Sequence, residues 1–286
     1  MSEPSTRRVA DYYDRNTGRF LRFGGGRNAA TIHRRLWAPG VTTSDQALRQ
    51  IHRLLAEWLR PAIESAEGDR LILDLGCGVG GTALDLAARL EANVIGLTLS
   101  PLQARQASAR AGVAQIESTC RFAVADFHHL PLRCRASVAY AIESFAHAVD
   151  PQRFFAEARS CLAPGCRLIV VDDFLAEVSN PSGRAWPWDR ARWTGRFAEG
   201  WRLGKWMTAR QAAELASAAG FELLSSEDLT PWLRLPPGWL LTILRLAATV
   251  RLPSTYWESL AGGIALQVCQ QQGWARYKAL VFSSRL

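Results

Sequence analysis

The sequence predicts an α/β fold built on a doubly wound parallel sheet, and three observations predict it. Short apolar runs of strand length alternate with segments of helical spacing through residues 71–172. A glycine-rich turn, Gly76-Cys77-Gly78-Val79-Gly80-Gly81, follows the first run and opens a helix. At 286 residues and 48% hydrophobic, the chain can bury one large core without metal or disulfide staples. Strands that alternate with helices pair in parallel through right-handed crossovers, so helices cover both faces of the sheet.

The elements follow in chain order. Ser44–Ile63 is amphipathic, with Leu48, Ile51, Leu55 and Leu59 at helical spacing. The first strand is Leu71–Leu75 and the helix after the glycine turn is Thr82–Leu90. A second strand, Asn93–Leu99, leads to a helix at Pro101–Ala111, which Ser100 caps and Pro101 starts. Arg121–Ala125, Ala136–Ile142 and Arg167–Asp172 are further strands, with a helix at Pro151–Leu162 between the last two. Beyond an aromatic, arginine-rich stretch (174–207) come a helix at Thr208–Ala219, a strand at Phe221–Leu229, an apolar segment (231–253), a helix at 254–272 and a last strand at Tyr277–Ser283. The reading divides the chain into an N-terminal helical cap (1–60) and a core (61–286), with cap insertions at about 174–207 and 231–276.

Composition narrows the function classes. Only Lys205 and Lys278 are lysine, so 32 of the 34 basic side chains are arginine, and the net charge of +8 reflects coding bias as much as function. The excess is local, at net +6 over residues 1–60 and +5 over 181–210, which fits an anionic ligand or a solvated arginine face. All 11 tryptophans lie outside residues 61–180, and five fall between Trp186 and Trp206. The six cysteines (77, 120, 134, 161, 166, 269) show no metal-type spacing and read as buried small residues. A polar start at Met1–Ala10 and the lack of a membrane-length apolar run predict a cytoplasmic protein without stable membrane insertion.

Four motifs carry chemistry. In Leu73-Asp74-Leu75-Gly76-Cys77-Gly78-Val79-Gly80-Gly81, glycines let the backbone turn and approach a ligand at a helix N-terminus. The pattern D-L-G-C-G-x-G-G resembles motif I of class I S-adenosylmethionine (SAM) methyltransferases; a generic nucleotide-binding core is the alternative. Gly96-Leu97-Thr98-Leu99-Ser100-Pro101-Leu102-Gln103 ends the second strand, where a ribose-binding acid is usual. Its Thr98 departs from that pattern and resembles tocopherol methyltransferases and cyclopropane fatty acid synthases, which implies ribose contacts from Thr98 and Gln103. Asp126 and Phe127 follow the third strand, placed to meet an adenine amine and ring. The fourth strand runs into Ala141-Ile142-Glu143-Ser144-Phe145-Ala146-His147-Ala148, which resembles segments of sterol and tocopherol methyltransferases, with Ala146 in place of a glutamate of the latter.

The resemblance implies a class I methyltransferase, Rossmann-like, with a seven-stranded sheet, an antiparallel last strand and a helical cap. SAM would meet Asp74, Gly76, Gly78, Gly80, Thr98, Leu99, Gln103, Asp126, Phe127 and Ile142. Alkylation of an alkene leaves a carbocation that must lose a proton, and Glu143 is the expected base, with His147 as base or orienter and Tyr13 facing the cation. Asp11-Tyr12-Tyr13-Asp14 and Ile32-His33-Arg34-Arg35-Leu36-Trp37 resemble the opening segments of sterol, tocopherol and bacterial isoprenoid methyltransferases. Tyr12, His33, Arg34, Arg35, Trp37, Trp186 and Trp188 are therefore candidate substrate contacts. Arginine forks would hold a prenyl diphosphate, with Mg2+ as a bridging ion and no dedicated metal site, while aromatic faces stabilise a cation. A sterol, quinol or tocopherol-type substrate needs no arginine cluster and stands as the alternative. An RNA methyltransferase is the remote one, and with no nucleic-acid module visible, no nucleic-acid partner is expected. Self-association into a homo-oligomer stays open.

Overall fold

The structure is a computed structural model that describes residues 6–23, 31–66, 68, 70–131, 135–177 and 187–285, without the side chains of Phe23, Pro187 and Trp188. In chain order the elements are α1 (Thr6–Phe23), α2 (Ser44–Glu64), β1 (Leu71–Leu75), α3 (Gly81–Leu90), β2 (Asn93–Thr98), α4 (Pro101–Val113), β3 (Cys120–Val124), β4 (Ala136–Ile142) and α5 (Pro151–Cys161). Then come β5 (Leu162–Leu175), α6 (Pro187–Trp201), α7 (Ala209–Ala218), β6 (Phe221–Asp228), α8 (Gly238–Ala247), α9 (Thr255–Gln271) and β7 (Ala275–Ser284).

The strands form one seven-stranded sheet in the order β3-β2-β1-β4-β5-β7-β6, with β7 antiparallel to both neighbours. The order reverses between β1 and β4, so a crevice opens at their carboxyl ends, where ligands of open α/β sheets bind. Alternate strand residues feed two cores. Ile72, Val138, Tyr140 and Val171 face α2 and α3, while Leu73, Leu75, Ala139, Val170 and Phe282 face α5 and α7. Helix starts follow local chemistry. Thr43 and Gln46 make a capping box at α2, and the Ser100 hydroxyl accepts from the Gln103 N–H at α4.

Two expectations need correction. β5 is longer than Arg167–Asp172, because β7 pairs with it from Arg167 to Leu175 and carries the strand past Asp172 and Asp173. A cap boundary at residue 60 falls inside α2, whose Leu48, Ile51, Leu55 and Leu59 are buried, and Ile51, Leu55 and Leu59 join the sheet's own core. The helices that stand off the sheet are α1, α6, α8 and α9. The last three share a separate cluster around Trp193, Phe197, Leu241, Ile264 and Trp274. α6 and α9 cross closely, with Gly200 against Gly262. Among the described residues no helix is long and apolar enough to cross a membrane.

Candidate active site

A cavity of about 290 Å3 opens at the carboxyl ends of β1, β2 and β4, roofed by α1. Its floor is the glycine turn. Cys77 N–H donates to the Leu97 carbonyl at 2.8 Å and ties the turn to β2. Gly76 (φ +133) and Gly78 (φ +53) adopt conformations that L side chains avoid. A Cβ at Gly76 would collide with Ser144, whereas one at Gly78 would meet nothing nearer than Ile32 at 3.8 Å. The backbone at Gly78 therefore stands open to the cavity, a cradle for a ligand. Gly80 does not line it; a Cβ there would fall 2.9 Å from Ala107 and Phe122, so this glycine serves packing.

Of the residues expected to meet the cofactor, Asp74, Gly76, Gly78, Thr98, Leu99, Gln103, Phe127 and Ile142 line the cavity. Asp74 is buried and accepts from the Tyr140 hydroxyl at 2.6 Å, and burial pushes its carboxyl up to about 7. Thr98 donates to Gln103 at 2.8 Å, and Gln103 reaches on to Thr17 of α1 at 3.0 Å. Asp14, also on α1, accepts from the Ser100 hydroxyl and, at 3.3 Å, from Leu102 N–H at the start of α4. α1 is thus latched over the ribose-side residues. Asp126, like Gly80, lies outside the lining; its Oδ1 accepts from the His128 ring at 2.7 Å and from the His128 N–H at 2.9 Å.

Glu143 follows β4 at φ +48, held by its N–H to the Val171 carbonyl at 2.8 Å. Its Oε1 accepts from Arg34 N–H and from the Tyr277 hydroxyl, both at 2.9 Å. Burial outweighs these donors and raises the Glu143 carboxyl above its ordinary range. Across the cavity, the Tyr13 hydroxyl sits 2.8 Å from His147 Nε2, and His147 Nδ1 is 3.2 Å from the Arg202 carbonyl. A carbonyl only accepts, so Nδ1 carries the proton and Tyr13 donates to Nε2. Burial lowers His147 to about 4, leaving it a neutral acceptor that orients Tyr13 rather than a free base. Tyr12 is anchored to Ser259 at 2.7 Å, and Phe20 stacks on Trp201; all three rings join the wall.

Among the described residues, the arginines expected for a diphosphate do not meet in the cavity. The Arg34 side chain pairs with buried Asp173 and lies over the Tyr277 ring at 4.8 Å. Arg35 and Trp37 lie outside the lining, and Trp37 carries Arg234 over its ring at 3.3 Å. His33 does line the cavity, but burial first and His52 at 2.8 Å second lower it to about 3 and keep it neutral. Trp186 and the Trp188 side chain lie outside the described residues. Of the cap tryptophans with described side chains, only Trp201 reaches the cavity; Trp193 and Trp274 pack the cap's own core. No Arg or Lys is among the described lining residues, and no His, Cys, Asp and Glu cluster among the described residues fits a metal ion.

Sequence reasoning missed Asp14, Thr17, Tyr277 and the Asp172-Asp173 pair. Asp14 lay within a quoted motif, and two adjoining acids at the end of an apolar strand were a visible signal; Tyr277 had none. Asp172 accepts from Ala146 N–H at 2.9 Å, which fixes the segment between Glu143 and His147.

Residues 73–170 match the family described as a methyltransferase domain. The chain is 25% identical to the chloroplastic tocopherol O-methyltransferase of Arabidopsis thaliana, over 90% of this chain and 75% of that protein. It is 29% identical to cycloartenol-C-24-methyltransferase 1 of Oryza sativa subsp. japonica, over 78% of this chain and 63% of that protein. Among solved structures it resembles the [4+2]-cyclase SpnF (TM-score 0.73, 26% identity, 100% of this chain and 99% of that one). It also resembles a geranyl diphosphate methyltransferase in complex with GPP and sinefungin (TM-score 0.71, 20% identity, 97% and 98%).

Proposed function

We propose that this chain, a class I SAM-dependent methyltransferase of the sterol and tocopherol branch, methylates a carbon of a small apolar alkene whose head group is uncharged. The observation that carries the reading is Glu143. It is a carboxylate at the switch point of the sheet, gripped through Oε1, inside a cavity walled by Tyr12, Tyr13, Phe20, Phe127 and Trp201.

The Gly76–Gly78 backbone, Thr98, Leu99, Gln103 and Phe127 would hold SAM, which supplies an electrophilic methyl group when bound. The open cradle at Gly78 fits such a group. The aromatic wall would orient the alkene and exclude water for transfer of that methyl group, in which the S–CH3 bond breaks, its electron pair staying on sulfur, as the alkene π electrons form the new carbon–carbon bond. The positive charge left on the adjacent carbon is stabilised by the ring faces, roughly 0.5–2 kcal/mol each. Glu143 then takes a proton from the neighbouring carbon, and that C–H pair becomes the new double bond. Both donors are bound to Oε1, so Oε2 would be the oxygen that takes the proton. The raised carboxyl matches a base that must accept a proton near neutral pH.

The neutral head group follows from the wall. Its described ionisable side chains include Asp74 and Glu143 and two histidines held neutral, so among the described residues a diphosphate would meet carboxyl groups and no Arg or Lys. A prenyl diphosphate bridged by Mg2+ is the second reading, supported by the +6 charge of residues 1–60 and by the likeness to the geranyl diphosphate enzyme. Purified protein given methyl-labelled SAM and a panel of sterols, quinols, prenols and prenyl diphosphates, with and without Mg2+, separates them. C-methylated neutral product is expected. Product from diphosphates alone would overturn the neutral head, and label on oxygen alone would overturn carbon transfer.

A further inference from the structure

We infer that the face formed by α1, α8 and the start of α9 docks on an anionic lipid bilayer. Helix α8 presents Trp239, Ile243 and Leu246 to solvent at 68%, 55% and 68% exposure. The spacing of four and three residues from Trp239 to Leu246 is that of one helix face, so these exposed apolar groups form a ridge rather than scattered sites, and Val250 is exposed in the turn beyond the helix. The segment from Leu229 to Trp257 holds three arginines and no carboxylate. Helix α1 has two faces of opposite character. Its inner face gives Val9, Tyr12, Tyr13 and Phe20 to the cavity. Its outer face exposes Arg7, Arg8, Arg15, Arg19 and Arg22 against the single exposed acid Asp11, because Asp14 is turned inward onto α4.

The two surfaces meet at α9. Arg19 lies 5.1 Å over the ring of Tyr256, itself exposed, and Leu260 one turn on is exposed too. An apolar ridge carrying a tryptophan beside a row of arginines is what a peripheral helix offers to the boundary of headgroups and acyl chains. Each basic group near an anionic surface adds to the attraction, and salt screens it. The occupant is therefore the bilayer and not a second copy, whose α1 would bring an equal row of arginines against this one. Docking so would set the helix that roofs the cavity against the phase where apolar molecules reside. The inference does not depend on the reaction assigned above.

The test is sedimentation of the full chain with vesicles, either phosphatidylcholine alone or equal parts phosphatidylcholine and phosphatidylglycerol. Binding to the mixed vesicles is expected, weakened by salt and weak on phosphatidylcholine alone. The double variant Trp239→Ser/Leu246→Ser should lose about tenfold in partitioning, from the apolar area it no longer buries. Arg7→Glu/Arg15→Glu should lose a similar factor on mixed vesicles only. The inference is overturned if the chain does not sediment with the mixed vesicles or if the variants bind like the parent. A dimer in light scattering that Trp239→Ser/Leu246→Ser converts to monomer overturns it equally. Unchanged thermal unfolding of the variants shows that they fold.

Discussion

Glu143 holds a left-handed backbone conformation that costs an L side chain about 1–2 kcal/mol, and the fold keeps it there with three hydrogen bonds. Stored strain beside a buried carboxylate is characteristic of a working residue, because it fixes where the oxygens point. Tyr277, on β7 between β5 and the edge strand β6, supplies one of the donors on Oε1. Its hydroxyl favours the charged carboxylate, so Tyr277→Phe should raise the Glu143 carboxyl further. The acid limb of the pH–rate profile should then move to higher pH while turnover at neutral pH falls about tenfold. A profile that keeps its shape with only a lower plateau would assign Tyr277 to packing. Glu143 was legible because it follows a strand within a recognisable run of residues. Tyr277 was not, because its partner is 134 residues away and nothing local marks a tyrosine in an apolar strand as a donor.

At the scale of elements, α1 decides whether the site is closed. It is fastened by Asp14 to the start of α4, by Thr17 to Gln103, by Tyr13 to His147 and by Tyr12 to Ser259 of α9. Asp14→Ala should remove about 1 kcal/mol of capping and latch energy. Amide exchange in α1 should quicken while α2 stays protected, and cofactor affinity should fall several-fold. Unchanged exchange in α1 would show that the other three fastenings suffice. The sequence marked the strands and helices of the middle to within a few residues, since each is a short apolar run or an amphipathic period bounded by Gly, Pro or Ser. Helices α6 and α8 stayed hidden inside stretches read only as aromatic and arginine-rich or apolar. Their buried faces pack on one another and on α9 rather than on the sheet, so no single apolar stripe announces them.

Across the whole molecule, burial sets opposing pH dependences. Asp74 and Asp172 prefer the protonated form in the native state, pushed up to about 7 and about 8 by burial first of all. The stability they contribute is complete below the ordinary carboxyl range and drains away as pH climbs through that range to about 8. His33 and His147 prefer the neutral form, lowered to about 3 and about 4, and the stability they contribute is complete above about 6.5 and lost as pH falls. Thermal unfolding should therefore peak in the mildly acidic range and decline toward about pH 8. Asp172→Asn keeps an acceptor for Ala146 N–H and removes one titration, so it should flatten the alkaline decline; an equal slope in the variant would contradict the assignment. The fold class and the glycine turn were legible because they follow from period and punctuation, and the last antiparallel strand because the resemblance implied it. The substrate side was not, since composition placed arginines and tryptophans near the site without showing that Asp173 holds Arg34 and that the cap core holds Trp193.

The most direct measurement sets Glu143→Gln beside the parent protein, with cofactor affinity by calorimetry and methyl transfer to the best substrate of the panel. The account predicts unchanged affinity and a loss of about 10²–10⁴-fold in turnover, the range that general acid–base catalysis supplies. Near-parental turnover with intact affinity would remove Glu143 from the chemistry and contradict the account at its centre.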